Sequence, residues 1–283
     1  MAEIRVLFVP WKKLSEAEMA DKSMRELALI NDEYVFKNEK WLAYEARRSR
    51  EIKAEHSEDF DEVRKAMRKG PGPHPEIEKV RSAPWFRKMM RQWYEVWYTG
   101  AEDPLLRSLG DGHIYIRGHS LPDLGKIGIP VPGRRGLGAT LEPKEVAKRL
   151  QESGLNPKTF KGKIKCYNCH SAEAGEYSFA QLLADEMWAL GYTDCTYFGY
   201  EGAIDSIPGQ HDSFPWAKGH RTSESGNPGE QSIRASEARR PIVPSQLKSG
   251  DRSKYINSLS EFDKAQLTKE QLFPKAQILG PSS

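Results

Sequence analysis

Residues 163–171 read KIKCYNCHS. The segment Lys163–Asn168 has the composition of a strand, and the strand gives out where the chain reaches Cys169-His170-Ser171-Ala172. Upstream, Glu142–Glu152 places Val146, Ala147 and Leu150 on one helical face and is closed by Gly154. Before that helix, Leu121–Gly138 is rich in Gly and Pro, with Ile127, Ile129 and Val131 alternating as in a small hairpin. A second strand, His113–Arg117 (HIYIR), precedes it and ends at Gly118-His119-Ser120. Downstream, Ser178 and Gln181 are spaced as a capping box. They open a helix carrying Phe179, Leu182, Leu183, Met187 and Leu190, which stops at Gly191 and leads to a strand over Thr193–Tyr200. Strand, helix, strand, helix, strand with short connections predicts the α/β class, a mostly parallel sheet flanked by helices. Ile4–Val9 (IRVLFV), rich in β-branched and aromatic residues, reads as its first, buried strand.

The rest of the chain differs in texture. From Ser15 to Lys69 it is densely charged and helical in character, with Phe60, Val63 and Met67 at helical spacing, and Gly70-Pro71-Gly72-Pro73 ends the element. A second helix is predicted over Ala83–Thr99, with Phe86, Met89, Met90, Trp93, Val96 and Trp97 as a core-packing stripe. After Asp205, Gly, Pro, Ser and charged residues dominate, which reads as a loose tail or a wrapping extension. The expected organisation is an α/β domain over 1–204 with a charged helical insertion at about 11–108, followed by an irregular C-terminal extension over 205–283.

Composition excludes several classes. The 283 residues contain 43 Lys and Arg against 40 Asp and Glu, and a net charge of +3 gives no footprint for nucleic acid. No run approaches the ~18–20 apolar residues of a membrane span, and Ile4–Pro10 is shorter than the core of a secretory signal. Three Cys cannot build a disulfide framework. A soluble protein is expected, cytoplasmic or delivered by a route that needs no signal peptide.

In open α/β sheets, ligands and reactive groups collect beyond the carboxyl ends of the strands. Cys169 and His119 both fall there. If their strands are parallel neighbours, the thiol and the imidazole emerge at one edge. A His can then draw the thiol toward the nucleophilic thiolate, and backbone amides at Cys169 and Ser120 can hold an oxyanion. The plainer alternative is a buried structural Cys and an unrelated loop His. His170 adjoins the nucleophile, but neighbouring side chains diverge at a strand end, so His119 is the better base. Cys166-Tyr-Asn-Cys169-His170 also fits the c-type haem pattern, half of a zinc site, or a redox pair. Against these stand the missing export signal, the missing second Cys pair and the position of Cys166 inside a strand; no cofactor or metal is expected.

Taken together, Ile114-Tyr-Ile-Arg-Gly-His119-Ser, Leu141–Leu150, Ile164-Lys-Cys-Tyr-Asn-Cys169-His-Ser-Ala172 and Ser178-Phe-Ala-Gln-Leu-Leu183 resemble clan CD (caspase-like) cysteine peptidases. They resemble most the self-processing cysteine protease domains of large bacterial toxins. The resemblance covers about residues 112–204 plus Ile4–Val9, and lies in the order and spacing of short motifs. It implies a caspase-like sheet and a cysteine endopeptidase in which Cys169 attacks a peptide carbonyl, His119 moves protons, and the Cys169 and Ser120 amides bind the oxyanion. A bacterial toxin or effector setting is implied with it. Ser120 stands where that family usually has Gly. The family's pocket wall falls on Gly199–Asp205, so Glu201 or Asp205 would favour a basic substrate residue, unless they are simply solvated loop acids. The toxin domains are switched on by inositol hexakisphosphate, but Arg134, Arg135, Lys144 and Lys148 are scattered and that ligand is not expected. The expected partner is a protein or peptide substrate, and the oligomeric state is open. The alternatives are a catalytically inactive caspase-like module that binds a partner, kept alive by Ser120, and a thiol-dependent amidase or acyltransferase using the same dyad.

Overall fold

The computed structural model describes residues 3–21, 24, 34–35, 37–38, 93–130, 137–204, 219–221, 233–268 and 271, with backbone alone for 219–221 and 233–234. Its centre is a six-stranded sheet. In chain order, β1 is Arg5–Val9, α1 Glu16–Ala20, β2 Trp93–Trp97, α2 Pro104–Arg107, β3 His113–Arg117, β4 Ile127–Pro130, β5 Leu137–Leu141 and α3 Pro143–Glu152. They are followed by β6 Lys163–Tyr167, a 3₁₀ turn over Gly175–Tyr177, α4 Phe179–Ala189, β7 Thr196–Tyr200, β8 Ala203–Ile204, β9 Gly219–Arg221, β10 Ile233–Arg234, β11 Arg239–Ile242, α5 Ser249–Ser258 and α6 Glu261–Lys264. The sheet order is β11-β7-β6-β3-β1-β2, parallel throughout except for the antiparallel edge strand β11. The molecule is thus mixed α/β with a mostly parallel sheet flanked by helices. Among the described residues, no helix is long and apolar enough to cross a membrane.

Two close backbone approaches set the sheet. Lys163 donates its N–H to the Gly112 carbonyl at 3.1 Å, just ahead of the β3/β6 ladder, and Thr196 donates to the Gly162 carbonyl at 3.1 Å just ahead of β6/β7. A Cβ at Gly162 would lie 1.7 Å from the Gly112 oxygen, so only glycine lets the two strands enter in register. At the other end, a Cβ on Gly199 would lie 2.7 Å from that of Ala180 and 2.9 Å from that of Ala172. This brings the start of α4 directly onto β7.

The faces of the sheet differ. Val6, Phe8, Ile114, Ile116, Ile164, Cys166 and Tyr197 pack in one core with Val146, Ala147 and Leu150 of α3 and with Phe179, Leu183 and Met187 of α4. The opposite face carries Trp93, Tyr115, Tyr167 and Tyr200 as a row of rings with centroids 5.4, 6.2 and 5.1 Å apart. Cations lie against this face: Arg5 over Trp93 at 5.3 Å, Lys165 over Tyr115 at 4.6 Å, Arg117 over Tyr167 at 5.7 Å and Arg239 over Phe198 at 4.8 Å. Arg117, Lys165 and His113 are buried there. Burial first, then the charges of Lys165, Lys163, Arg5 and Arg239, push the His113 imidazole down to about 2. It stays neutral and accepts from the Lys165 ammonium at Nδ1, 3.3 Å away. The Glu3 carboxylate is 2.6 Å from Nε2, but Glu3 is exposed to solvent and its pull is the weaker effect.

Several sequence expectations are corrected. Trp93–Trp97 is not the end of a helix but strand β2, paired parallel with β1 from Arg5↔Trp93 to Val9↔Trp97. Trp93, Val96 and Trp97 fit a helical stripe, yet aromatic and β-branched residues also suit a strand, and pairing with β1 satisfies the backbone of both. The insertion at about 11–108 is therefore interrupted by a strand of the central sheet. The extension over 205–283 is not irregular throughout: β11 is paired from Arg239↔Tyr200 to Ile242↔Tyr197, and α5 and α6 follow. Ser178 caps α4 by accepting from the Gln181 N–H at 3.3 Å, but the Gln181 side chain turns to the Val243 carbonyl instead of closing a capping box. The predicted helical stripe at Phe60, Val63 and Met67, the Gly70–Pro73 stop, and Phe86, Met89 and Met90 lie outside the described residues.

Replacing Gly162 with alanine is expected to cost about 3 kcal/mol or more and Gly199→Ala about 1–3 kcal/mol, both read as lowered urea midpoints. His113 binds a proton in the unfolded chain below about 6.5 but not in the folded one. Stability present above that pH should therefore drain away as pH falls, by up to about 1.4 kcal/mol per pH unit from this group. In His113→Gln that part of the slope should vanish from denaturation curves taken between pH 4 and 7 (about that range suffices).

Candidate functional site

β3 and β6 are parallel neighbours with Ile116 opposite Cys166 and Arg117 opposite Tyr167. His119 and Cys169 each follow two residues beyond that last pair, so both leave the sheet at the same carboxyl edge. His119 is held by a two-way bridge to β4: its N–H donates to the Gly128 carbonyl at 2.9 Å and its carbonyl accepts from Gly128 at 2.8 Å. The ring lies 6.4 Å from that of Tyr34, and its Nε2 is 2.7 Å from the ammonium of Lys37.

The loop after β6 is bound by its own polar groups. Asn168 donates to the Cys166 carbonyl at 2.8 Å, and the Ser171 hydroxyl donates to the same carbonyl at 2.8 Å while accepting from the Tyr200 N–H at 2.9 Å. Ser171 thus ties the loop to β7. His170 adopts φ +55° and donates its N–H to the Gly202 carbonyl at 2.8 Å. Its Nδ1 lies 2.7 Å from Glu173 Oε2, and the other oxygen of Glu173 accepts from the Gly202 N–H. Cys169, half-buried, lies at the centre. Its sulfur accepts from the Ile204 N–H at 3.3 Å, and the thiol donates to the Ile204 carbonyl at 3.6 Å.

The remaining expected site residues fall as follows. Ser120 is buried, its hydroxyl 3.3 Å from the Lys126 carbonyl and 3.4 Å from that of Leu121. Glu201 lies past β7, its carboxylate 2.6 Å from Arg240, an internal partner that the sequence reading did not foresee. Asp205, Arg134 and Arg135 are outside the described residues. Lys144 and Lys148 lie on the exposed side of α3, where Lys148 pairs with Glu152 at 3.5 Å. Asp111 and Asp194 precede β3 and β7, at the opposite edge.

Cys166 points into the helix-covered core, and burial pushes its thiol far above the ordinary range. A haem thioether there would require opening the sheet. Cys195 sits one residue ahead of β7, buried, and burial pushes it up to about 12. Among the described residues, no group of three or more His, Cys, Asp or Glu has the geometry to hold a metal ion.

Sequence reasoning missed Lys37, Ser171, Ile204 and Asn168. Asn168 is 3% exposed and has no hydrogen-bond partner for either side-chain atom among the described residues. Lys37 is one lysine in a charge-dense segment, and Ile204 acts through its backbone, so neither carries a sequence signal. No family model, curated protein or solved structure matches this chain.

Iodoacetamide applied to the native protein should alkylate Cys169 while Cys166 and Cys195 react only on unfolding. Peptide mapping by mass spectrometry reads this directly, and equal native labelling of all three would contradict the burial assigned here.

Proposed function

We propose that the chain is a cysteine endopeptidase of the caspase-like kind, with Cys169 as nucleophile and His119 as the proton carrier. The observation that carries this reading is the in-register parallel ladder of β3 and β6, which brings a His and a Cys to one carboxyl edge. The neighbouring His- and Cys-bearing strands agree with the caspase-like arrangement that the sequence motifs resemble, and the toxin or effector setting belongs to the same proposal.

In this reading His119 accepts the Cys169 proton as the sulfur attacks a peptide carbonyl, and the amides of Cys169 and Ser120 hold the oxyanion. Collapse of the tetrahedral adduct breaks the C–N bond. The amine departs with the proton from His119, leaving a thioester on Cys169. Water then attacks the thioester while His119 takes its proton. The C–S bond breaks, the acid leaves, and the thiol regains the proton. A basic substrate side chain at Glu201 would have to displace Arg240, 2.6 Å away.

A second reading, a catalytically silent module that binds a partner, draws on the same geometry. Lys37 is on His119 and Arg240 is on Glu201, so both groups are engaged internally.

Peptidyl acyloxymethyl ketones with Lys, Arg or neutral residues next to the warhead separate the two. The endopeptidase should be labelled at Cys169, and once Lys37 is replaced by Met, adding His119→Ala should slow labelling about 100-fold. With Lys37 replaced, labelling of Cys169 that is equally fast without His119, or no labelling at all, sinks the peptidase reading and favours the binding module.

A further inference from the structure

We infer that Lys37 is an internal stopper of the site, an ammonium that holds His119 in the wrong state for proton transfer until it is withdrawn. This rests on the dyad reading above and names the regulation of that same site.

The argument is one of hydrogen-bond inventory. A lysine ammonium has three donors and no acceptor, and a neutral imidazole has one donor nitrogen and one acceptor nitrogen. At 2.7 Å, the Lys37 ammonium donates to His119 Nε2. That nitrogen supplies the lone pair, so the ring proton is on Nδ1. The lone pair that would receive the Cys169 proton is engaged, and Nδ1 is already protonated. An imidazolium has no acceptor at all, so the ring cannot gain a second proton while Lys37 stays. In this arrangement His119 is neither base nor acid.

Lys37 is also placed to stay. It is 7% exposed, so its charge is largely out of water, which is costly without compensation. Compensation comes from Nε2 and from the face of Tyr34, whose ring centroid lies 5.5 Å from the ammonium. Tyr34 stacks on Trp11 at 5.8 Å, and Trp11 follows β1 by two residues. The stopper is thereby braced against the edge of the sheet from which His119 and Cys169 emerge. Lys37 is on none of the strands of the sheet, so withdrawing its ammonium would leave in place the ladder that carries the dyad.

The test uses the full chain and four variants, Lys37→Met, Lys37→Arg, His119→Ala and the Lys37→Met/His119→Ala double variant, with iodoacetamide at neutral pH as the probe. Lys37→Met should raise Cys169 alkylation about ten-fold or more, and the double variant should lose that gain. Lys37→Arg, which keeps a cation, should stay near wild type, and Cys166 should remain protected throughout. Unchanged or slower alkylation in Lys37→Met, or a gain that persists without His119, overturns the stopper. If Lys37→Met exposes Cys166, the variant has lost its fold, and ¹⁵N spectra of His119 in the unaltered chain decide. A proton on Nδ1 with bare Nε2 supports the stopper, and a proton on Nε2 overturns it. The peptidyl ketones report separately on the dyad: labelling that depends on His119 but gains nothing from Lys37→Met leaves the peptidase standing and removes the stopper alone.

Discussion

Two strands paired in parallel and in register end together, and the chain leaving each of them starts from the same line. The ladder between His113–Arg117 and Lys163–Tyr167 imposes that condition here. It depends on backbone contact that tolerates no side chain, since Gly162 leaves no room for a Cβ beside the Gly112 carbonyl. A slip of one residue would move Ile114, Ile116, Ile164 and Cys166 off the helix-covered face. It would also move His119 and Cys169 out of step. The core and the candidate site therefore share one constraint: the burial that pins the register also brings the chain segments carrying His119 and Cys169 to one edge of the sheet.

The two faces of the sheet divide the work. The face beneath α3 and α4 is aliphatic and close-packed, with Gly199 admitting Ala180 and Ala172 at contact distance. The other face buries guanidinium, ammonium and imidazole groups among aromatic rings. A cation removed from water needs partners in place, and rings, a neutral imidazole and a tyrosine hydroxyl provide them around Lys165. Lys37 on His119 follows the same chemistry at the carboxyl edge, with Tyr34 as its ring and an imidazole nitrogen as its acceptor. What differs is the consequence: around Lys165 the arrangement is structural, whereas at His119 it occupies the lone pair on which the proposed reaction depends.

The strands that bear the site were legible because each carries a strong local pattern. Ile4–Val9, His113–Arg117 and Lys163–Asn168 read as strands, and the ends of the last two are marked by Gly118 and by the run from Cys169. The two edge strands were not legible in the same way. Trp93–Trp97 satisfies a helical stripe and a strand equally, and only the free edge of β1 decides between them. Arg239–Ile242 contains two arginines and a proline and has no hydrophobic signature. It becomes a strand because β7 offers it an antiparallel ladder, while Arg239 finds Asp263 at 2.5 Å and Arg240 finds Glu201 at 2.6 Å. Edge strands draw much of their definition from the neighbour they pair with, so local composition is a poor guide to them.

By itself, the amino-acid order determined the alternation of strands and helices, the class of the fold, and the fall of His119 and Cys169 just beyond strand ends. These follow from hydrophobic period and from the places where that period stops, which are local properties. Only the tertiary structure decided which strands are neighbours, that Glu201 is met by Arg240, that Ile204 lies against the Cys169 sulfur, and that Lys37 lies against His119. Each of these pairs residues well separated along the chain, and no local preference encodes such a meeting. It arises when burial brings a charge or a thiol to the nearest group able to satisfy it.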